Sequence, residues 1–314
     1  MEKKILFAVD GSEKCNQALG IAGNLLKDRA GCHILLFHCL PELHTLFPED
    51  LLADGSTQAQ FERLGQAVLD SSRRVLVGSG FPDDMITVKC KPDSVVPSCD
   101  ILNEAAASRI ETVICGRRGR TPKTNLLIGS TSSRLSQYST MRTVWVVDAP
   151  VHQTRKVLIP MEGGPDSRAL TFYAAEFFAP IPDLEYTLLH FMPRLPSRFW
   201  DHGSILGREE EKKRRDQLHE WRSETLREVE KFLFEARDAL IGCSVPPEKV
   251  HTRIVHTKED MAKDMLAAIE RRQYQFVLIG KKSFKEQKPF LLGSNANKIL
   301  KNARNTILCL VDAC

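Results

Sequence analysis

Gly116, Gly119 and Gly129 are spaced G-x2-G-x9-G, and a run of hydroxyls, Ser130, Thr131, Ser132 and Ser133, follows the third glycine. Glycine lets backbone approach a ligand closely, and a helix start presents unpaired N–H groups at the positive end of its dipole. With hydroxyl donors and a guanidinium from Arg118 or Arg117, this is chemistry suited to a triphosphate. The chain has no GxxxxGK[ST], so the pattern is not a P-loop. A plainer reading competes, in which the hydroxyls are ordinary N-cap residues of a helix.

A second stretch, FAVDGSE, ends an apolar run on Asp10. Taken alone, Asp10 suits a turn or a helix cap. Cys115 and Cys39 read as packing residues, since no strand-end His/Asp arrangement accompanies them. His38 and His190 fall inside apolar runs and read as core histidines, and the other histidines lack metal-ligand spacing.

The elements that must position these residues come in two copies. KKILFAVDGSEKCNQAL from Lys3 matches RKVLIPMEGGPDSRAL from Arg155, and ETVICGRRGR from Glu111 matches QFVLIGKKSF from Gln275. LLIGSTSSRL from Leu126 matches FLLGSNANKIL from Phe290, with a constant offset from Gly116/Gly280 to Asp148/Asp312. Internal repeats decide the fold before any single motif does. The expected domains are 1–150 and 151–314, joined near Asp148 to Thr154. In each copy, apolar strands without alternation are separated by helical patterns, which means strands buried on both faces of a parallel sheet. The fold class is therefore α/β, as two tandem open doubly wound five-stranded parallel sheets of Rossmann-like type, related by a pseudo-twofold. In such sheets ligands sit beyond the carboxyl ends of the strands, so the Asp10 turn and the glycine loop should meet in one crevice.

Copy two carries an insertion, about residues 206–240, rich in i,i+4 acid–base pairs such as Glu209/Lys213 and Glu210/Arg214. Its approximate apolar stripe runs from Leu218 and Trp221 to Val229, Phe232, Leu233, Ala236 and Leu240, and its charges read as a solvated helix face. A net charge of +4 over 314 residues does not imply a nucleic acid partner. No run reaches membrane-spanning length, and nine cysteines without a CxxC pair fit a reducing cytoplasm.

The combined spacing Gly116-x2-Gly119-x9-Gly129-Ser130, with FAVDGS and LLFHC at two strand ends, resembles the ATP-binding subclass of the universal stress protein family. The resemblance covers nearly the whole chain as a tandem pair. It implies that Ala8, Val9 and Asp10 hold the nucleoside end and that the backbone of Cys39 reads the adenine edge. It places Cys115 and Gly116 by the ribose, with Arg118, Gly119, Gly129, Ser130, Thr131 and Ser132 around the phosphates. The implied ligand is ATP, with or without Mg²⁺, and the implied role is a nucleotide-responsive regulator of the stress response with slow or no hydrolysis. A regulatory protein partner of unknown identity and a homodimer of the tandem chain are also implied. By resemblance to family dimers, the final strands TVWVVD and TILCLVD should pair across the junction.

Copy two departs from the pattern. Its candidate site comprises Glu162, Phe191, Gly280, Lys282, Ser283, Gly293 and Ser294, where Glu162 replaces aspartate and Ser283 the middle glycine. Lys281, Lys282 and Lys285 keep that loop basic. Two alternatives stay open. The chain could be a dimerising interaction module that binds no nucleotide, or, through EGGPDSRA, an adenylating enzyme of the ATP pyrophosphatase type, with Glu162 a poor neighbour for pyrophosphate.

Overall fold

The apolar runs become the strands. The computed structural model describes residues 3–43, 56–119, 128–163, 165–192, 208–258, 260–281 and 292–312. The first half contributes β1 (Lys3–Ala8), β2 (Cys32–Pro41), β3 (Ile86–Ser94), β4 (Thr112–Gly116) and β5 (Thr143–Val147). The second contributes β6 (Lys156–Pro160), β7 (Glu185–Met192), β8 (Val250–His256), β9 (Phe276–Gly280) and β10 (Ile307–Val311). The helices of the first half are α1 (Glu13–Leu26), α2 (Ser56–Gly78), α3 (Pro97–Ala107) and α4 (Ser130–Tyr138). Those of the second are α5 (Pro165–Tyr173), α6 (Arg208–Gly242), α7 (Met261–Arg272) and α8 (Ser294–Asn302).

The strands form one sheet in the order β3-β2-β1-β4-β5-β10-β9-β6-β7-β8. Each half is parallel within itself, and the halves meet where β5 and β10 run antiparallel, with Ile307 opposite Val147 and Leu310 opposite Val144. The expected pairing of the two final strands is present, and it merges the two expected sheets into one. The physical reason is that β5 and β10 would otherwise each leave an edge of unpaired peptide groups.

Alternate residues face opposite layers, as strand geometry requires. Ile5, Phe7, Trp145, Ile307 and Cys309 pack on the side of α1, α2, α5 and α6. Leu6, Val144, Val146, Leu308 and Leu310 pack on the side of α3, α4, α7 and α8. At the junction the Trp145 ring stacks on Phe178 at 5.2 Å and meets Phe177 and Phe276 edge-on. Trp145 Nε1 donates to the Tyr173 hydroxyl at 2.9 Å, and the Arg29 guanidinium donates to the carbonyls of Phe177 and Glu176.

The insertion is helix α6, about 52 Å long at 1.5 Å per residue. It buries Val229, Leu233, Ala236 and Leu240. Trp221, expected in the same stripe, is 44% exposed, so the buried contact begins only at Val229. N-terminal to that point Glu209, Glu210 and Lys213 are exposed and Arg214 is half-buried.

Candidate functional site

The crevice of the first half lies where β1 and β4 end side by side, with Ala8 paired to Cys115. Val9 closes the end of β1: its N–H donates to the Phe37 carbonyl at 2.9 Å, and its carbonyl accepts from His38 Nδ1 at 2.7 Å. Both peptide groups of Val9 thus have protein partners, and Val9 shapes a wall. Gly11, at φ 73°, then turns the chain in the left-handed region that glycine enters at least cost. Asp10 is fixed by this turn. Its Oδ1 accepts from the Ser12 amide at 2.9 Å and from the Ser12 hydroxyl at 2.7 Å, while Ser12 caps α1 by accepting from the Cys15 amide.

The other carboxylate oxygen of Asp10 reaches the glycine loop. A Cβ built on Gly119 would lie 2.2 Å from Asp10 Oδ2, which no side chain tolerates without displacement. Gly119 has no positive φ, so a side chain there is opposed by the carboxylate rather than by the backbone angle. The two distant segments therefore converge. Gly129 closes the loop by donating to the Arg117 carbonyl at 2.8 Å, and α4 begins with no side chain capping it. Ser130 to Ser133 are thus not cap residues, because Gly129 occupies that position. Ser132 is buried and its hydroxyl donates to the Gly116 carbonyl at 2.7 Å, which leaves its amide, with those of Ser130 and Thr131, as the group at the helix start. Arg118 and Gly119 are exposed at the mouth.

Cys39 lies within β2, where register breaks between Cys39 and Pro41. Burial pushes its thiol up to about 12, and does the same to Cys115 and Cys15. These thiols stay neutral at physiological pH, in keeping with packing roles. An alkylating maleimide at pH 7 is expected to modify the exposed Cys99 and Cys243 quickly and to leave Cys15, Cys115 and Cys309 to the rate of unfolding. Fast labelling of Cys115, read by peptide mass, would contradict that burial. The three raised thiols also have a sign in pH. Their contribution to stability is whole below the ordinary value of 9.0 and is lost as pH rises towards about 12.

The Arg117 side chain does not serve the loop. Its side chain is buried, and its guanidinium donates to the carbonyls of Leu300 and Ala303 in the second half at 2.6 and 2.7 Å. Burial lowers it to about 10, opposed by Asp148 beside it, so it remains charged at neutral pH. Lys281 departs from expectation in the same way: it is buried against Ser139 and Arg142 of the first half.

The second half repeats the frame with altered chemistry. His190 Nδ1 donates to the Met161 carbonyl as His38 does to Val9, and burial lowers its pKa. Ser167 accepts the amides of both Glu162 and Gly163, and Glu162 is exposed, whereas Asp10 is half-buried. Phe232 of α6 packs against Gly163 and meets the His190 ring edge-on at 5.4 Å. Phe191 is buried in the core. A cavity of about 270 Å³ opens between Glu162, Gly280, Gly293, Ser294, Met261 and Met265, just below the usual range of small-ligand sites. Lys282, Ser283 and Lys285 lie outside the described residues, as does most of the Leu46 to Gln60 segment.

The family model described as "Universal stress protein family" matches residues 1–148 and again 153–310. The chain belongs to the universal stress protein family. A universal stress protein from Archaeoglobus fulgidus DSM 4304 has a similar structure, with a TM-score of 0.65 and 16% identity over 99% of this chain and 98% of that one. A functionally unknown protein from Pseudomonas aeruginosa PAO1 gives a TM-score of 0.61 at 13% identity, over 99% and 93%. No curated protein matches this universal stress protein by sequence. Among its described residues, no helix is long and apolar enough to cross a membrane.

Sequence reasoning missed three roles in this universal stress protein. His38 and His190 hold the strand end beside each acid, a role signalled only by their matched positions in the repeat. Ser12 and Ser167 brace the turns in different ways. Arg117 and Lys281 sit in the right loops but point away from them, and only the packing of one half on the other reveals it.

Proposed function

We propose that the first half of this universal stress protein binds an adenine nucleotide, ATP with or without Mg²⁺, as a regulator that responds to nucleotide without rapid turnover. The observation that carries the reading is the contact between Asp10 and Gly119 beside the uncapped start of α4. The residues present suit the ligand: a carboxylate oriented by Ser12 accepts ribose hydroxyls, and amides at a helix start with the Arg118 guanidinium receive phosphates. Cys39 offers backbone at a break in strand pairing, where an adenine edge finds hydrogen-bonding groups outside the ladder. Ala8, Cys115 and Gly116 supply the floor, since both strands end there. Asp10 belongs to the nucleoside end, so the reaction that the site favours is binding. Binding draws on Arg118 and the start of α4 and so alters the surface a partner protein reads. The division at 150/151 follows the two copies of this site.

The cavity in the second half favours a second, weaker site with the same frame. Calorimetric titration of the nucleotide-free chain with ATP and Mg²⁺ tests both readings. One equivalent, measurably weakened but not lost in Asp10→Ala, is expected for the first half alone, and two equivalents mean that Glu162 is tolerated. Absence of heat and of competition with a fluorescent adenine nucleotide would overturn the reading and leave the interaction module standing.

A further inference from the structure

In both halves the residue after the first loop glycine holds two things at once. The Arg117 carbonyl accepts the Gly129 amide at the start of α4, while its guanidinium holds the Leu300 and Ala303 carbonyls at the end of α8. The Lys281 carbonyl accepts the Gly293 amide at the start of α8 at 2.7 Å. Its ammonium donates to the Ser139 carbonyl at 2.6 Å and the Ser139 hydroxyl, at the end of α4, and to the Arg142 carbonyl at 2.8 Å, at the entry to β5. The connections close into a ring: Arg117, α4, Lys281, α8 and back to Arg117. Asp148 and Asp312 brace it symmetrically. Asp148 faces Arg117 Nε at 3.3 Å and accepts the Asn305 amide, and Asp312 accepts the Met141 amide at 2.7 Å. Met141 and Asn305, matched in the repeat, both take left-handed φ, at 56° and 53°.

Two physical facts make this ring more than cross-linking. Each helix has nine residues, two and a half turns, and is too short and too regular to absorb a shift at one end without moving the other. Each cation is buried on at least one carbonyl at a helix end, where the dipole favours positive charge and a lost partner leaves carbonyls unsatisfied. The side chains therefore follow the helix ends rather than release them.

We propose that the ring couples the two crevices, so that drawing in the start of α4 around a ligand in the first half alters α8 and the cavity it borders in the second. The ligand arm of this inference rests on the nucleotide reading; the wiring does not. Hydrogen exchange of the full chain, with and without ATP and Mg²⁺, tests it in wild type, Arg117→Met and Arg117→Lys. In wild type, ATP is expected to slow amides of both α4 and the last turns of α8 by about threefold or more. In Arg117→Met the α8 response should vanish while the α4 response remains, and Arg117→Lys, which keeps the charge without the two-pronged grip, should restore part of it. An α8 response that is absent in wild type, or that survives in Arg117→Met, overturns the coupling while leaving nucleotide binding intact.

If ATP does not bind, the nucleotide reading fails and the wiring is read without ligand. Lys281→Met should then speed exchange through α4 as far as its first amide-bonded turn, at Ser133 and beyond. Acceleration confined to Ser139 and its neighbours would overturn the coupling. Should Arg117→Met not fold, Lys281→Met and Arg117→Lys carry the same comparison.

Discussion

Gly119→Ala is expected to weaken adenine-nucleotide binding by about 10- to 100-fold, the loss of one to two charge-assisted hydrogen bonds, while leaving the thermal midpoint almost unchanged. The added methyl would sit 2.2 Å from Asp10 Oδ2, so one of the two must move. Asp10 resists, because its other oxygen is held by the Ser12 amide and hydroxyl and its main chain is set by the Gly11 turn. Gly119 yields more easily, being exposed, and its movement carries the Arg118 loop away from the helix start. Stability is spared because neither residue belongs to the core. A double-mutant cycle isolates the cause. If the methyl acts through the carboxylate, Gly119→Ala should have little further effect in an Asp10→Ala background. Full affinity in Gly119→Ala would remove the pair from the site.

That pairing could be read from the sequence only as convergence. The repeat and the apolar strands fixed a parallel sheet, and a parallel sheet brings the ends of β1 and β4 together; hence Asp10 and the Gly116 loop had to meet. The reason for glycine at 119 was not legible. Spacing alone suggests a special backbone angle, but the structure shows an ordinary angle and a carboxylate in the way. Ser130 to Ser133 were legible as a helix start, yet the division of labour between them was not: Ser132 turns inward to Gly116 because the helix register points it there.

Arg117 and Lys281 show where a sequence reading of one copy must fail. Each is locally a basic loop residue next to glycine, and local pattern assigns it to phosphate. Its actual partner lies in the other half, at a helix end 186 residues away in the chain for Arg117 and 142 for Lys281. The pairing of β5 with β10 brings that end within reach, and burial then selects carbonyls over solvent. The same junction explains the insertion. Helix α6 could be recognised from its charge pairs, but which stripe residues are buried depends on where the sheet beneath it stops, and Trp221 lies beyond that limit.

Trp145→Ala is expected to cost about 3–5 kcal/mol of stability, the range for removing a large aromatic from a close-packed core. Trp145 is fully buried on β5, directly opposite Cys309 of β10, and its partners Phe177, Phe178, Phe276 and Tyr173 all belong to the second half. Truncation therefore opens a void at the seam and takes the indole donor from the Tyr173 hydroxyl. Trp145→Phe separates these effects: it keeps most of the ring packing and loses the hydrogen bond, and should cost about 1–2 kcal/mol from that bond and the smaller ring. The halves share one sheet, so wild-type urea unfolding is expected as a single transition by circular dichroism and by protection of amides in both halves. Weakening the seam lowers the midpoint and lets the halves part, giving two transitions in Trp145→Ala. A cost below about 1 kcal/mol, within the ordinary range for surface substitutions, would show that the aromatic cluster does not hold the halves together. The antiparallel β5–β10 ladder and the buried ring of helix ends would then have to carry the junction alone.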